Sequence, residues 1–221
     1  MALLGRPIDI CQRCRSIATI IVPCSVCRLI YYCSEECREI DKTAHLAVCV
    51  EAQASITGVR LVGGHDRPFE ATEIQVPRDH PVWHNINASE IPQMTKYIAC
   101  LLKVYREEPA LPLATPRIAE KDNQSVTDMM IFPENGIIPP LWQKNIGPVI
   151  VVHADKRPLP KPALEIIWQF CRSINRNFEN GDARLAKDRS NPETFEHFCE
   201  EYKEQNMRTR PEEFQNLEFP F

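Results

Sequence analysis

Eight side chains near the amino terminus have the chemistry and spacing to hold metal. Cys11, Cys14, Cys24, Cys27, Cys33, Cys37, His45 and Cys49 follow C-x2-C-x9-C-x2-C-x5-C-x3-C-x7-H-x3-C. Thiolate sulfur and imidazole nitrogen are the donors tetrahedral Zn2+ prefers, and these eight suffice for two four-coordinate ions, one held by four thiolates and one by three thiolates and the imidazole. Both are closed, structural types of site, so two Zn2+ are the expected cofactors.

The elements that carry the ligands follow from the spacing. Cys11/Cys14 and Cys24/Cys27 suit tight turns that present two sulfurs to one ion. Cys33/Cys37 and His45/Cys49 are spaced i,i+4, which on short helices places each pair on one face, a turn apart.

Other uses of the cysteines fit less well. A disulfide framework needs an oxidising compartment, and residues 1–10 show no charged n-region, apolar h-region and cleavage site. The cytoplasm or nucleus is the expected location. A thioredoxin-like redox pair needs a βαβ context, which two adjacent CxxC doublets do not supply. Unliganded burial fails because too few large apolar residues lie between the ligands to form a core. A segment of this size needs a staple, and metal supplies on the order of 10–16 kcal/mol per structural site. Seven thiolates with two Zn2+ bring the formal charge from −4 to about −7.

The run Cys24-Ser25-Val26-Cys27, Tyr31-Tyr32-Cys33-Ser34-Glu35-Glu36-Cys37, Asp41 and His45-x3-Cys49 resembles the MYND zinc finger. The resemblance covers residues 11–49 and includes all eight ligands. It implies an interleaved cross-brace, with Cys11, Cys14, Cys33 and Cys37 on one ion and Cys24, Cys27, His45 and Cys49 on the other. Spacing alone permits sequential pairing equally. RING fingers place histidine at the fourth or fifth ligand position rather than the seventh; the HIT-type finger has a closer ligand order and a similar cross-brace.

The resemblance also implies a protein-interaction module, since several such fingers dock extended proline-rich peptides. Those that do so carry a glutamine after the sixth ligand and a tryptophan after the aspartate. Here Arg38 and Lys42 stand at those positions, and Leu46 replaces a basic residue after the histidine. Arg38 and Lys42 are i,i+4 and form a basic pair suited to an acidic or phosphorylated segment, with a solvated helix face as the alternative. The expected partner is thus a protein presenting a proline-rich or acidic segment. Nucleic acid is not expected, because residues 1–50 carry six Lys/Arg against five Asp/Glu and no basic stripe.

The expected organisation is a finger at 1–50, a linker at 51–67 containing Gly63-Gly64, and a second domain at 68–221. Composition changes there: 17 of the 19 prolines lie from Pro68 onward. Apolar periodicity predicts helices over 90–106, 163–178 and 192–206, the last opened by Asn191-Pro192. Val149-Ile150-Val151-Val152 predicts a buried strand, and 59–62 and 73–76 are weaker candidates. The fold class expected is α+β, a small zinc-stabilised cross-brace finger followed by a helix-rich, irregular α+β domain. No run of about 18 apolar residues is present, so a membrane span is not expected.

Further candidate sites read as packing. Cys100, Cys171 and Cys199 lie on apolar stripes. His80 and His84 are i,i+4 without a third ligand nearby. His153 reads as a satisfied core or edge histidine. Pro139-Pro140-Leu141-Trp142 resembles a proline-leucine docking motif that the chain's own finger could take, although loop packing explains it more simply. Phosphate-loop and nucleophile-elbow motifs are absent among seven glycines. The function expected is a zinc-binding protein-interaction adaptor, with a role in transcriptional regulation, and not an enzyme. The alternatives are a relative of SET lysine methyltransferases, against which stands the lack of an N-H-x-C stretch, and a nucleic-acid-binding finger.

Overall fold

The computed structural model describes residues 11–16, 22–24, 30–49, 55–64, 69–84 and 89–218. The chain divides into two compact units, Met1–Ile56 and Thr57–Phe221. The whole is α+β.

In the first unit, β1 (Val22–Pro23) pairs antiparallel with β2 (Tyr31–Tyr32), and α1 (Glu35–Val48) follows. Ser34 caps α1, its hydroxyl accepting from the Cys37 N–H at 3.2 Å, while Glu35 and Glu36 complement the positive end of the helix. Among the described residues the core here is minute: Cys11, Cys24, Tyr32 and Cys49 are buried, with Val22, Ile30, Cys33 and Cys37 packed on them. One large aromatic and a knot of sulfur cannot offset the conformational entropy of the segment.

The second unit is built on a five-stranded sheet in the order β4 (Ala71–Pro77), β3 (Ser55–Leu61), β7 (Val149–His153), β6 (Leu102–Arg106), β5 (Ser89–Glu90). β7 runs antiparallel to both neighbours, with Val151 opposite Val59 on one side and Val104 on the other. All five residues of β7 are buried, because both faces of the sheet are covered. Val149 and Val151 face α5 (Lys161–Glu179), whereas Ile150 and Val152 pack with Val76 and Val82, the latter on α2 (Pro81–His84). Helix α5 buries Leu164, Ile167, Phe170, Cys171 and Ile174 along one stripe, each large apolar side chain contributing about 1.5–3 kcal/mol. Helices α4 (Gln124–Met129), α6 (Ala183–Arg189), α7 (Pro192–Met207) and α8 (Pro211–Phe214) complete the unit.

Two expectations need correction. Residues 55–61 form β3, so the middle of the stretch expected to be a linker is sheet. Its Gly58 is required by close approach: a Cβ there would stand 2.8 Å from Val152 and 2.9 Å from Val76. The predicted helix over 90–106 is instead β5, the short α3 (Gln93–Tyr97) and β6. Helix α3 stops in a Schellman motif, Cys100 N–H to Thr95 O at 2.9 Å and Ala99 N–H to Lys96 O at 3.3 Å, with Ala99 left-handed at φ 56°. Leu102, Val104 and Arg106 then alternate inward as a strand requires. The helices expected over 163–178 and 192–206 and the strand over 149–152 are present as α5, α7 and β7.

Pro140–Trp142 is a single 3-10 turn belonging to the second unit's core. The Trp142 indole N–H donates to Glu90, and the Arg106 guanidinium lies 4.4 Å from the ring centre. Pro140 and Leu141 remain exposed, but the aromatic half of the supposed docking motif is committed inside.

Candidate metal centre

Seven of the eight expected ligands fall among the described residues, and the fold gathers them into two groups. Cys11, Cys14, Cys33 and Cys37 place their sulfurs within 4.8 Å of one another, and so do Cys24, His45 and Cys49 with their donor atoms. Cys27 lies outside the described residues. The grouping is interleaved rather than sequential, as the resemblance implies.

The backbone shows how each group is assembled. Cys11 accepts at its carbonyl from the Arg15 N–H (2.9 Å) and donates its own N–H to Ser16 O (2.9 Å), closing a turn with Arg15 left-handed at φ 60°. Gln12 N–H reaches Tyr31 O at 2.9 Å, which carries that turn to β2 and hence to Cys33. Cys24 N–H donates to Ile30 O at 2.8 Å. Helix α1 links the groups: Cys37 sits in its first turn, His45 in its last, and Cys49 is its C-cap. The two short helices expected for Cys33/Cys37 and His45/Cys49 are thus one helix whose ends serve different groups. At 1.5 Å per residue, Cys37 and His45 lie about 12 Å apart along it. A rod with each end in a separate group is what interleaves them.

The donor sets fit zinc. Four sulfurs at about 2.3 Å from a tetrahedral Zn2+ would stand about 3.8 Å apart. Cys14 and Cys33 are 3.5 Å apart, Cys33 and Cys37 3.6 Å, and Cys24 and Cys49 4.0 Å. These spacings are far too long for disulfides, and none joins the described cysteines. His45 turns Nε2 to within 3.2 Å of Cys24 Sγ, which makes Nε2 the ring nitrogen facing the donor group.

Electrostatics argue the same way. Burial raises Cys11, but backbone N–H groups of Cys14 and Cys33 outweigh it and bring the thiol down to about 6. Cys14 is lowered chiefly by the Ser16 hydroxyl and N–H. Cys33 is pushed up to about 12 by the neighbouring Cys14, Cys37 and Cys11. Protein groups alone therefore do not hold all four sulfurs as thiolates; a dication at their centre reverses that balance. Cys11, Cys14, Cys33 and Cys37 would hold one zinc, and Cys24, His45 and Cys49, with Cys27 by resemblance, the other. The ion supplies cross-linking and charge neutralisation.

Supporting groups surround the ligands. Ser16 Oγ lies 2.8 Å from Cys14 Sγ, a contact that sequence reasoning missed, its one signal being a hydroxyl two residues after a CxxC doublet. Tyr32, fully buried, donates to Asp41 Oδ2 at 3.0 Å and meets the His45 ring edge-on. That bond ties β2 to the middle of α1 and explains why Tyr32 and Asp41 accompany the ligands.

Arg38 and Lys42 both lie on α1, but their charges are matched on the helix itself. Arg38 meets Glu35 at 2.5 Å and Glu39 at 3.7 Å, and Lys42 meets Glu39 at 3.0 Å. Lys42, followed by Arg38, holds the exposed Glu39 carboxyl below its usual range. Exposed intrahelical pairs of this kind are weak and can be exchanged for a partner's carboxylates. Exposed apolar side chains stand nearby in the same unit: Tyr31, Ile40 and Leu46.

Elsewhere, His80 Nδ1 accepts from Val82 N–H at 3.1 Å and His84 Nε2 lies 3.2 Å from Arg78 O, so that pair is a loop fitting. Cys100, Cys171 and Cys199 are buried in the main core, with burial raising all three thiols. His153 is buried as expected, and burial with the Arg157 cation holds its imidazole well below the usual value against the opposing pull of Asp155 and the Leu101 backbone.

Residues 11–49 match the family model of the MYND finger. That segment is a MYND-type zinc finger, and such fingers are zinc-binding protein-interaction modules. No curated protein and no solved structure matches the chain. Among the described residues, no helix is long and apolar enough to cross a membrane.

Proposed function

We propose that the protein is a zinc-dependent protein-interaction adaptor of the cytoplasm or nucleus, with the finger as docking module and residues 57–221 as a second scaffold. The observation that carries this reading is the closed first donor group. Cys11, Cys14, Cys33 and Cys37 supply four protein donors to one ion, which leaves no open position for water or substrate. A metal so enclosed organises a surface and performs no Lewis-acid chemistry. On that surface Arg38 and Lys42 share a helix stripe with exposed Leu46, each four residues from the next, a mixture suited to a segment that combines carboxylates or phosphate with apolar side chains. A role in transcriptional regulation and the absence of enzymatic activity belong to the same proposal.

The test is affinity capture from cell extract with wild type, a Cys24→Ser variant and an Arg38→Glu/Lys42→Glu variant. Partners lost with both variants support docking through the charged face of α1. Partners retained by the Cys24→Ser protein refute the finger as the docking module. Retention by the charge-reversed protein alone moves the contact to another face.

A further inference from the structure

The two donor groups of the finger differ in how open they are to solvent. In the first, Cys11 is buried, Cys33 and Cys37 are partly covered and Cys14 is exposed. In the second, the described donors are all buried, with Cys24 at 4 %, His45 at 8 % and Cys49 at 0 % exposure. Cys100, Cys171 and Cys199 are buried in the main core. A reagent dissolved in water therefore reaches Cys14 ahead of any other described cysteine.

Exposure matters because a thiolate held at zinc stays deprotonated at neutral pH, and the thiolate is the form of cysteine that attacks electrophiles. Ser16 Oγ lies 2.8 Å from Cys14 Sγ in an exposed contact, so the approach to that sulfur is polar and open. Cys33 Sγ stands 3.5 Å from Cys14 Sγ, although 19 residues separate the two in sequence. An accessible thiolate with a second cysteine poised beside it is the arrangement that turns oxidation by a peroxide into a disulfide.

We infer that Cys14 is an oxidation site for small hydroperoxides, that Cys33 resolves it, and that the finger thereby gives up its first zinc while keeping the second. In the first step the Cys14 thiolate attacks the O–O bond of hydrogen peroxide. A sulfur–oxygen bond forms, giving the sulfenic acid, and hydroxide departs and takes up a proton. The Cys33 thiolate then attacks the Cys14 sulfur, an S–S bond forms, and a second hydroxide departs and is protonated to water. Two thiolates have lost two electrons, one peroxide has gained them, and two protons have been consumed. The sulfurs need close only from 3.5 Å to about 2.05 Å. Cys11 and Cys37 remain as two donors, too few for a closed zinc site, and the first turn of α1 loses its anchor. The inference rests on zinc occupancy of the finger and holds whether or not the finger docks a partner.

The experiment uses the zinc-loaded full chain, shown by native mass spectrometry to carry two ions, with hydrogen peroxide as oxidant. Released zinc is followed with a colorimetric dye against an unoxidised control, and timed samples are alkylated and peptide-mapped. Expected are release of one ion at least tenfold faster than the other, a Cys14–Cys33 crosslink formed in step with it, and recovery of both ions after dithiothreitol and added zinc. Cys14→His keeps a nitrogen donor at that corner and removes the attacked sulfur, and should slow the first release at least tenfold. Should that variant not load two ions, the crosslink map of the wild type decides. Loss of both ions at one rate, a first crosslink that omits Cys14 or pairs it with Cys11, or an unslowed release from two-zinc Cys14→His would overturn the inference.

Discussion

The interleaving of the two donor groups can be tested by choosing which cysteines to lose together. Cys14 and Cys33, 3.5 Å apart, belong to one group although 19 residues separate them. Cys24 belongs to the other, 4.0 Å from Cys49. A structural zinc contributes about 10–16 kcal/mol, or about 3–4 kcal/mol per ligand, so replacing one thiolate weakens an ion roughly 10²–10³-fold. Replacing two in the same group abolishes that ion and leaves the second nearly intact. The double variant Cys14→Ser/Cys33→Ser should therefore retain one tightly held zinc per chain. Cys14→Ser/Cys24→Ser injures both groups once and should yield both ions to a competing chelator that the wild type resists. Native mass spectrometry before and after chelator challenge reads the stoichiometry directly. Sequential pairing predicts the reverse, one ion kept by Cys14→Ser/Cys24→Ser and two weakened in Cys14→Ser/Cys33→Ser. That reversed pattern would refute the rod-like role of α1 and the geometry built on it.

Two further predictions concern the second unit. Ala99 sits at the left-handed C′ position of α3, which costs a non-glycine residue about 1–2 kcal/mol. Glycine relieves this at an entropic cost of about 0.5–1 kcal/mol, so Ala99→Gly should raise stability by about 0.5–1 kcal/mol in urea unfolding; a destabilised variant would contradict the assigned conformation. Glu165, largely buried on α5, takes both nitrogens of Arg210 (3.0 and 2.7 Å) and the Tyr202 hydroxyl (2.7 Å). Burial raises its carboxyl, yet Arg210 and Tyr202 outweigh that and leave it below its usual value. A lowered carboxyl contributes stability above its unfolded value of about 4.3 and loses it as pH falls through the folded value. Arg210→Ala should then cost about 2 kcal/mol near pH 7, with the difference from wild type shrinking below about pH 4. A pH-independent difference would mean that Arg210 acts through packing on Phe214 instead.

What could be read from sequence follows the physics of each element. The ligands were legible because metal chemistry fixes residue type and spacing with little help from tertiary context. Helices α5 and α7 were legible because a long apolar stripe has one period and proline marks each start. Residues 90–106 misled because Ile91, Met94, Ile98 and Leu101 keep helical spacing across a left-handed C′ position that ordinarily announces itself by glycine and here is Ala99. The strand that follows alternates Leu102, Val104 and Arg106 inward, and a buried arginine disguises period two. Its burial makes sense only once Trp142, 36 residues later, lies beneath its guanidinium.

Helix α1 bears directly on how the finger could be regulated. Fourteen residues is close to the length at which an isolated helix is marginal in water, and among the described residues this one has little core beneath it beyond Tyr32 and the cysteines. Its N-terminal turn is fixed through Cys37 and its C-terminal turn through His45 and Cys49, each in a different donor group. Arg38, Lys42 and Leu46 follow one another at four-residue spacing along one stripe of the helix. Losing either ion frees one end, and fraying from that end reaches Arg38 or Leu46 within a turn. Partner contacts made by this face therefore depend on both metals at once, and mild chelation that removes the weaker ion should abolish docking before the second ion leaves.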